Sequence, residues 1–157
     1  MRRFLVRLGA TFFFTGHVPV APATFASFVT LAIWWWLQSH HPIPPLAMLG
    51  VIAAVTAIGI PLASRAESTY GHDGKPIVID EVAGMLLTIA WMGPGIDPLK
   101  LAVAGFLVFR VLDVVKPPPA YQFQSFPRGW GIMADDIMAG IYANLVLQAI
   151  VRGLGWL

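Results

Sequence analysis

Residues 45–63, which read PLAMLGVIAAVTAIGIPLA, decide the fold class of this chain. These 19 residues include no Lys, Arg, Asp or Glu. An α-helix of that length rises about 28 Å, close to the roughly 30 Å of hydrocarbon in a lipid bilayer. The stretch lies in a longer gap, because no formal charge occurs in the 57 residues between Arg7 and Arg65. The sequence therefore predicts a membrane-spanning helix here.

The composition of the whole chain also indicates a membrane protein. Of its 157 residues, 57% are hydrophobic and only 11% are charged, and the mean hydropathy is +0.73. About a quarter of the residues of an ordinary soluble domain are charged. This scarcity, with a formal net charge of only +2, excludes a disordered tail and a basic arm, so no nucleic-acid partner is expected. Because the chain has no cysteine, thiolate metal sites and a cysteine nucleophile are excluded as well.

Four further apolar runs accompany this stretch. The first ends in three consecutive tryptophans, which are favoured at the boundary between membrane and water. The basic N-terminus resembles a signal peptide, but prolines follow it instead of a cleavage site, so we interpret it as an interfacial or re-entrant helix. The prediction is a single all-α domain over residues 1–157, an integral membrane bundle of about five spans; a soluble bundle is the alternative. The four runs are residues 25–37, 82–96, 101–109 and 137–151.

The distribution of Lys and Arg predicts how the spans are oriented. With five spans and the N-terminus inside, eight of the ten basic residues lie on the cytoplasmic side, and only Lys100 and Arg152 lie outside. Such a bias is the positive-inside pattern of membrane proteins. The same topology brings acidic residues to the cytoplasmic ends of three spans, although the acids were not used to choose it. These acids are Asp80, Glu81, Asp113, Asp135 and Asp136.

Two of the acidic pairs precede apolar helices. Asp80 and Glu81 lie in KPIVIDEVAG, and Asp135 and Asp136 lie in GWGIMADDIMAGIY. Carboxylates are stabilised near the positive N-terminal end of a helix, and one of them could simply be an N-cap. Capping explains one acid of each pair better than two. We therefore prefer a metal-binding or catalytic role for both pairs and keep capping as the alternative.

The third motif, RVLDVVK, spaces Arg110, Asp113 and Lys116 at i, i+3 and i+6. On a helix these positions share one side, at or just under the membrane boundary. Ionisable groups at this depth are expensive to desolvate and indicate function by default. A helix end whose basic residues reach out to the polar boundary, with a simple Arg–Asp pair, is the alternative.

Together these residues favour phosphoryl chemistry at a membrane surface. Five carboxylates without cysteine, and without histidine at ligand spacing, suit Mg²⁺ better than Zn²⁺. Arginine and lysine beside them could bind phosphate oxygens. A Pro-rich loop at residues 15–27 offers Thr15, Thr24 and Ser27 as hydroxyl donors and His17 as a proton-transfer group, although for this segment alone we prefer an ordinary loop. The predicted substrate is a lipid headgroup.

Four motifs in this order, PVAPATFAS, IVIDEVAG, FRVLDVVKPPP and GWGIMADDIMAGIYAN, resemble the phosphatidylglycerophosphatase A family of bacterial membrane phosphatases. The resemblance covers residues 16–144 and implies Mg²⁺-dependent hydrolysis of phosphatidylglycerophosphate to phosphatidylglycerol at the cytoplasmic face of the inner membrane. It departs from the family pattern at Ala23 and Ala26, where glycines are usual.

The roles expected on this basis fall into three groups. Asp80, Asp135 and Asp136 would hold the metal; Glu81 and Asp113 would be catalytic; and Thr24, Arg110 and Lys116 would bind the substrate phosphate. Attack by water and a covalent aspartyl-phosphate both remain open. A membrane cation carrier using the same carboxylates is the alternative function, and a homodimer is compatible with the glycine-containing spans.

Overall fold

A computed structural model describes residues 2–93 and 95–154 of the chain. Within these ranges the protein is all-helical, without a β-strand, which confirms the predicted all-α class. Seven α-helices and one short 3-10 helix, Thr15–His17, follow one another. The α-helices are α1 (Arg2–Ala10), α2 (Pro22–His40), α3 (Pro45–Tyr70), α4 (Ile79–Thr88), α5 (Pro98–Val115), α6 (Ala120–Phe123) and α7 (Gly129–Leu154).

Each predicted apolar run contains helix, but not all of these helices are long and apolar enough to cross a membrane. Two helices are long and apolar enough to cross a bilayer: α3, with a mean hydropathy of 2.3, and the Gly129–Gly153 part of α7, with 1.3. The run at residues 82–96 is different, because α4 ends at Thr88. Its ten residues rise only about 15 Å, half the thickness of the hydrocarbon. Two of the five predicted spans thus meet the length and hydropathy that crossing requires.

The early end of α4 has a clear physical cause in α7. The side-chain amide of Asn144 donates to the backbone carbonyls of Leu87, Thr88 and Ala90, at 3.1, 3.1 and 2.6 Å. The Leu87 carbonyl also accepts from the Ala90 backbone N–H at 3.2 Å, so Asn144 matters most for the carbonyls of Thr88 and Ala90 at the end of the helix. Trp91 then adopts a left-handed conformation with φ of 60°, which turns the chain away from the helix axis.

The bundle is built around α4, which packs against α2, α3, α5 and α7. The closest approach is to α7, where glycines face each other. A Cβ added to Gly84 would lie 2.6 Å from the backbone oxygen of Asp136, and one added to Gly140 would lie 2.5 Å from that of Gly84. Only glycine permits such contact between backbones. The acid-bearing parts of α4 and α7 are therefore held directly against each other.

The N-terminal helix α1 packs on α3 and is tied to the segment that leads into α4. Ala10 is fully buried, and its carbonyl accepts a hydrogen bond from the Val78 backbone N–H at 2.9 Å. Phe4 and Leu5 stay 55% exposed on the same helix. The helix was predicted from the sequence, and its exposed apolar side chains suit the interfacial location expected for it.

Candidate functional site

Asp80 and Glu81 enter the site from the first turn of α4. Both side chains are buried, with 6% and 8% of their surface exposed. The residue that caps α4 is Val78, and no side chain hydrogen-bonds to the first turn from that position. The alternative that Asp80 is a simple N-cap is therefore wrong. The N-terminus of α4 still stabilises both negative charges through the helix dipole.

Asp135 and Asp136 enter from α7 and are each only 4% exposed. The helix begins at Gly129, whose N–H donates to the Ser64 hydroxyl of α3 at 3.0 Å. Both acids thus lie in the second turn, where the backbone N–H groups already have partners within the helix. Capping does not explain this pair either, because α7 starts several residues earlier than the sequence pattern indicated.

Three carboxylates from these two helices converge. One oxygen each of Asp80, Glu81 and Asp136 lies within 4.8 Å of the other two. Asp80 Oδ1, Glu81 Oε2 and Asp136 Oδ2 are buried and find no hydrogen-bond partner in the described ranges. Buried carboxylates without partners are costly unless a cation or a proton neutralises them. The group therefore has the donor set of a metal site, with three convergent oxygen ligands.

The electrostatics of Asp80 agree with this geometry. Burial first, and the negative charge of Glu81 second, raise the pKa of Asp80 well above its ordinary value. The negative charges of Asp136 and Asp73 raise this pKa further. A bound divalent cation would reverse this effect, because it favours the charged form of each ligand.

Asp135 has a different partner from the other acids. The Lys116 ammonium donates to Asp135 Oδ2 at 2.5 Å, and both side chains are largely removed from solvent, at 22% and 5% exposed. Burial lowers the pKa of Lys116, but its hydrogen bond to Asp135 and the charges of Asp135, Asp136 and Asp113 outweigh burial and raise it. Of the acids predicted as metal ligands, Asp80 and Asp136 thus join Glu81, while Asp135 faces Lys116.

Lys116 reaches Asp135 because it has left the helix. It is the C-cap of α5, with φ of 45° and ψ of 61°, a left-handed conformation. The expectation that Lys116 continues the helical face of Arg110 and Asp113 is therefore wrong. The left-handed turn, directly before three prolines, redirects the lysine from α5 towards α7.

Arg110 and Asp113 form an ion pair within α5, with Nη1 and Oδ2 2.9 Å apart. The pair borders the carboxylate group and acts on Glu81. Burial is the main cause that raises the pKa of Glu81, and hydrogen bonds with Asp80 and the backbone lower it. Of the ion pair, the negative charge of Asp113 raises the pKa of Glu81 and the positive charge of Arg110 lowers it. Arg110 Nη1 is buried and makes no well-aligned hydrogen bond in the part of the chain that the structure describes. It can therefore still donate to an added anion.

The predicted loop of residues 15–27 is largely helical. Thr24 lies in the first turn of α2 and is half-buried, and among the described residues no hydrogen bond joins it to the carboxylates. Ala23 and Ala26 adopt ordinary helical conformations, so alanine in place of the glycine usual in the family causes no backbone strain there. The residue with a left-handed backbone conformation is Ala21, with φ of 49°. His17 meets the Tyr70 hydroxyl at 3.1 Å.

Two residues that support the site were missed from the sequence. Asp73 is close enough for its charge to raise the pKa of Asp80, although its position outside the apolar runs suggested no such role. Asn144 ends α4 through three carbonyls and is itself held by Gln148, whose amide donates to Asn144 Oδ1 at 2.6 Å. The available signal for Asn144 was an uncharged polar residue two turns after Asp136 in an apolar helix, with Gln148 one turn further along.

Comparison with known proteins gives consistent matches over nearly the whole chain. The family model described as phosphatidylglycerophosphatase A matches residues 8–151. Two proteins named Phosphatidylglycerophosphatase A are similar: one from Escherichia coli K12, 34% identical over 88% of this chain and 78% of its own length, and one from Haemophilus influenzae, 31% identical over 92% and 88%.

A relative with a different name is also similar. A Bacteroides thetaiotaomicron protein named "Putative phosphatidylinositol-3-phosphatase" is 31% identical over 95% of this chain and 94% of its own length. No solved structure is significantly similar to this chain. The names of these relatives therefore share a phosphatase activity and differ in the lipid headgroup.

Proposed function

Since this chain belongs to the phosphatidylglycerophosphatase A family and is a phosphatase, we propose that it hydrolyses the terminal phosphate of phosphatidylglycerophosphate to give phosphatidylglycerol. The observation that carries the proposal is the buried group of Asp80, Glu81 and Asp136, with its unpartnered oxygens. The basic residues Arg110 and Lys116 border this group. An acidic group flanked by cations suits a cation and a phosphate bound side by side.

Mg²⁺ is the proposed cofactor. Asp80, Glu81 and Asp136 would hold it, because hard oxygen ligands without cysteine or histidine suit this ion. When bound, Mg²⁺ would supply electrophilic stabilisation of the phosphate and activation of a nucleophile. The unpartnered oxygens fit this role, since each can take a ligand that the protein itself does not supply.

The basic residues differ in how ready they are to bind phosphate. Arg110 retains a buried Nη1 that lacks a well-aligned acceptor, and Asp113 fixes the orientation of the guanidinium through their ion pair. Lys116 would share its ammonium between Asp135 and the phosphate, since an ammonium has three donors. In this assignment Asp135 positions Lys116. The Thr24 hydroxyl, without a link to the acids, would contact the lipid phosphate only if the substrate extends towards α2.

The proposed location is the bacterial inner membrane, with the site on the cytoplasmic side. Support comes from the two helices long enough to cross and from the bias of basic residues to one predicted side. The carboxylates lie in the first two turns of α4 and α7, near helix ends. This depth gives a headgroup phosphate access while the acyl chains stay in the bilayer.

Phosphate release from the purified lipid tests the proposal. Phosphatidylglycerophosphate should be hydrolysed with Mg²⁺ and not after chelation, and phosphatidylinositol 3-phosphate should be a much poorer substrate. Asp136→Asn should reduce the rate at least about 100-fold, because it removes a predicted metal ligand rather than an outer partner. Asp97→Asn is the matched control, since Asp97 caps the opposite end of α5 through the backbone N–H groups of Leu99 and Lys100, and Asn caps equally well.

Two results would contradict this assignment. Full activity of the Asp136→Asn protein would show that the carboxylate group takes no part in the reaction. Faster hydrolysis of the inositol lipid would agree with a phosphatase activity but contradict phosphatidylglycerophosphate as the preferred substrate.

A further inference from the structure

A cationic cleft lies between α1 and the C-terminal half of α3, outside the carboxylate site. Its volume is about 680 Å³, and three of its six lining residues are arginines. The lining residues are Arg3, Val6, Arg7, Arg65, Ser68 and Thr69. We propose that this cleft binds the phosphate of an anionic phospholipid headgroup, at a position distinct from the catalytic site.

Within the described residues, no ion pair balances the charge of the cleft. In residues 2–93 and 95–154 no carboxylate forms an ion pair with Arg3, Arg7 or Arg65. The nearest acid along the chain, Glu67, is engaged by His72 at 2.5 Å. Arg3 and Arg7 are four residues apart in α1, a spacing at which like charges destabilise a helix. An anion from outside the chain would remove this repulsion.

The walls of the cleft are fixed before any ligand arrives. Helix α1 lies so close to α3 that a Cβ added to Gly9 would be 2.6 Å from Leu62 Cδ1. The end of α1 is held by the hydrogen bond from the Val78 N–H to the Ala10 carbonyl. A site whose backbone is already in place loses little conformational entropy when it binds.

The lining groups have the chemistry of a phosphate site. Guanidinium groups present forked donors that match phosphate oxygens, and the exposed Thr69 hydroxyl adds a further donor. Ser68 contributes an acceptor, because its own proton is donated to the Arg65 carbonyl at 2.8 Å. The donors thus outnumber the acceptors, as an anionic ligand requires.

A lipid is favoured over free phosphate because of the rest of α1. Phe4 and Leu5 are each 55% exposed on this nine-residue helix, which carries basic residues on its other side. A helix with one apolar and one basic side lies in the membrane interface, where anionic headgroups are concentrated. The arginines of the cleft would therefore meet lipid phosphates at the level of the bilayer surface.

The test measures binding without turnover, so its outcome is independent of the proposed phosphatase reaction. The purified full chain in a neutral detergent is titrated by calorimetry with short-chain phosphatidylserine. Phosphatidylcholine of the same chain length and inorganic phosphate are the parallel ligands. The variant R7Q/R65Q removes two cleft charges, and K100Q/R152Q is the matched control that removes two exposed charges elsewhere.

We expect phosphatidylserine to bind more tightly than either parallel ligand. Its Kd should rise about tenfold or more in R7Q/R65Q and less than about twofold in the control. Arg65→Gln alone, at an exposed helical position, should give part of the same loss if the double variant is unstable. An equal rise of this Kd in both double variants would indicate general charge attraction and overturn the proposed binding in the cleft. Binding of phosphatidylcholine or inorganic phosphate as tight as that of phosphatidylserine would overturn the anionic lipid as its ligand.

Discussion

Replacement of Lys116 by methionine tests whether Lys116 and Asp135 form a structural pair. The 2.5 Å hydrogen bond joins an ammonium to a carboxylate that is 4% exposed as a residue. A hydrogen bond to a charged group contributes about 1.5–3 kcal/mol, and the 22% exposure of the lysine side chain favours the lower half of that range. We therefore expect Lys116→Met to lower the free energy of unfolding by about 2 kcal/mol. Most of this loss is the penalty of leaving the Asp135 charge buried without a partner.

A double-mutant cycle separates this pair from other effects. Asp135→Asn removes the charge that needs the lysine, so the double variant should be less destabilised than the sum of the single variants, with a coupling of about 1–2 kcal/mol. Unfolding midpoints in mixed detergent micelles, without divalent cations, give the three values. Lys100→Met, at an exposed position on α5, is the control and should change stability little. Additivity within about 0.5 kcal/mol would refute the pairing.

Three further outcomes follow from the packing and the carboxylates. Gly84→Ala should lower the free energy of unfolding by about 1–3 kcal/mol, because the added Cβ would lie 2.6 Å from the Asp136 backbone oxygen. In thermal unfolding the control Gly50→Ala, which has open space around it, should be neutral or stabilising, and equal effects of the two variants would contradict the close contact. Asn144→Ala should cost about 1–3 kcal/mol, measured by chemical unfolding, because buried carbonyls at the end of α4 lose their donor; unchanged stability would refute this capping role. Chelation of divalent cations should lower the unfolding temperature of the wild type and much less that of Asp136→Asn, and the same shift in both would argue against a cation at this carboxylate.

The helices could be predicted from the sequence to the extent that they depend on local pattern. Uncharged apolar runs identified α2, α3, α5 and α7, because burial in lipid or protein leaves the same composition. The end of α4 could not be predicted in this way. Residues 82–96 read as one apolar run, and the break at Thr88 depends on Asn144, which is 56 residues further along the chain.

The site was predictable in its members and less so in their pairing. Charges are so scarce in this chain that the acids near helix starts were natural candidates, and three of the predicted residues, Asp80, Glu81 and Asp136, converge in the structure. Which acid meets which cation depends on tertiary direction. The left-handed turn at Lys116 carries its ammonium to Asp135, whereas helical spacing placed it beside Arg110.

The contact between Gly84 and Gly140 has a consequence for how this protein can change over evolutionary time. Because backbone meets backbone there, main-chain atoms set the closest approach of the helices that carry Asp80 and Asp136, and the Asn144 side chain joins the same helices one turn further along. We therefore expect apolar substitutions away from this contact to alter that spacing little. The separation of the acidic groups then depends on two positions, Gly84 and Gly140, at which any side chain would force the two backbones to move apart.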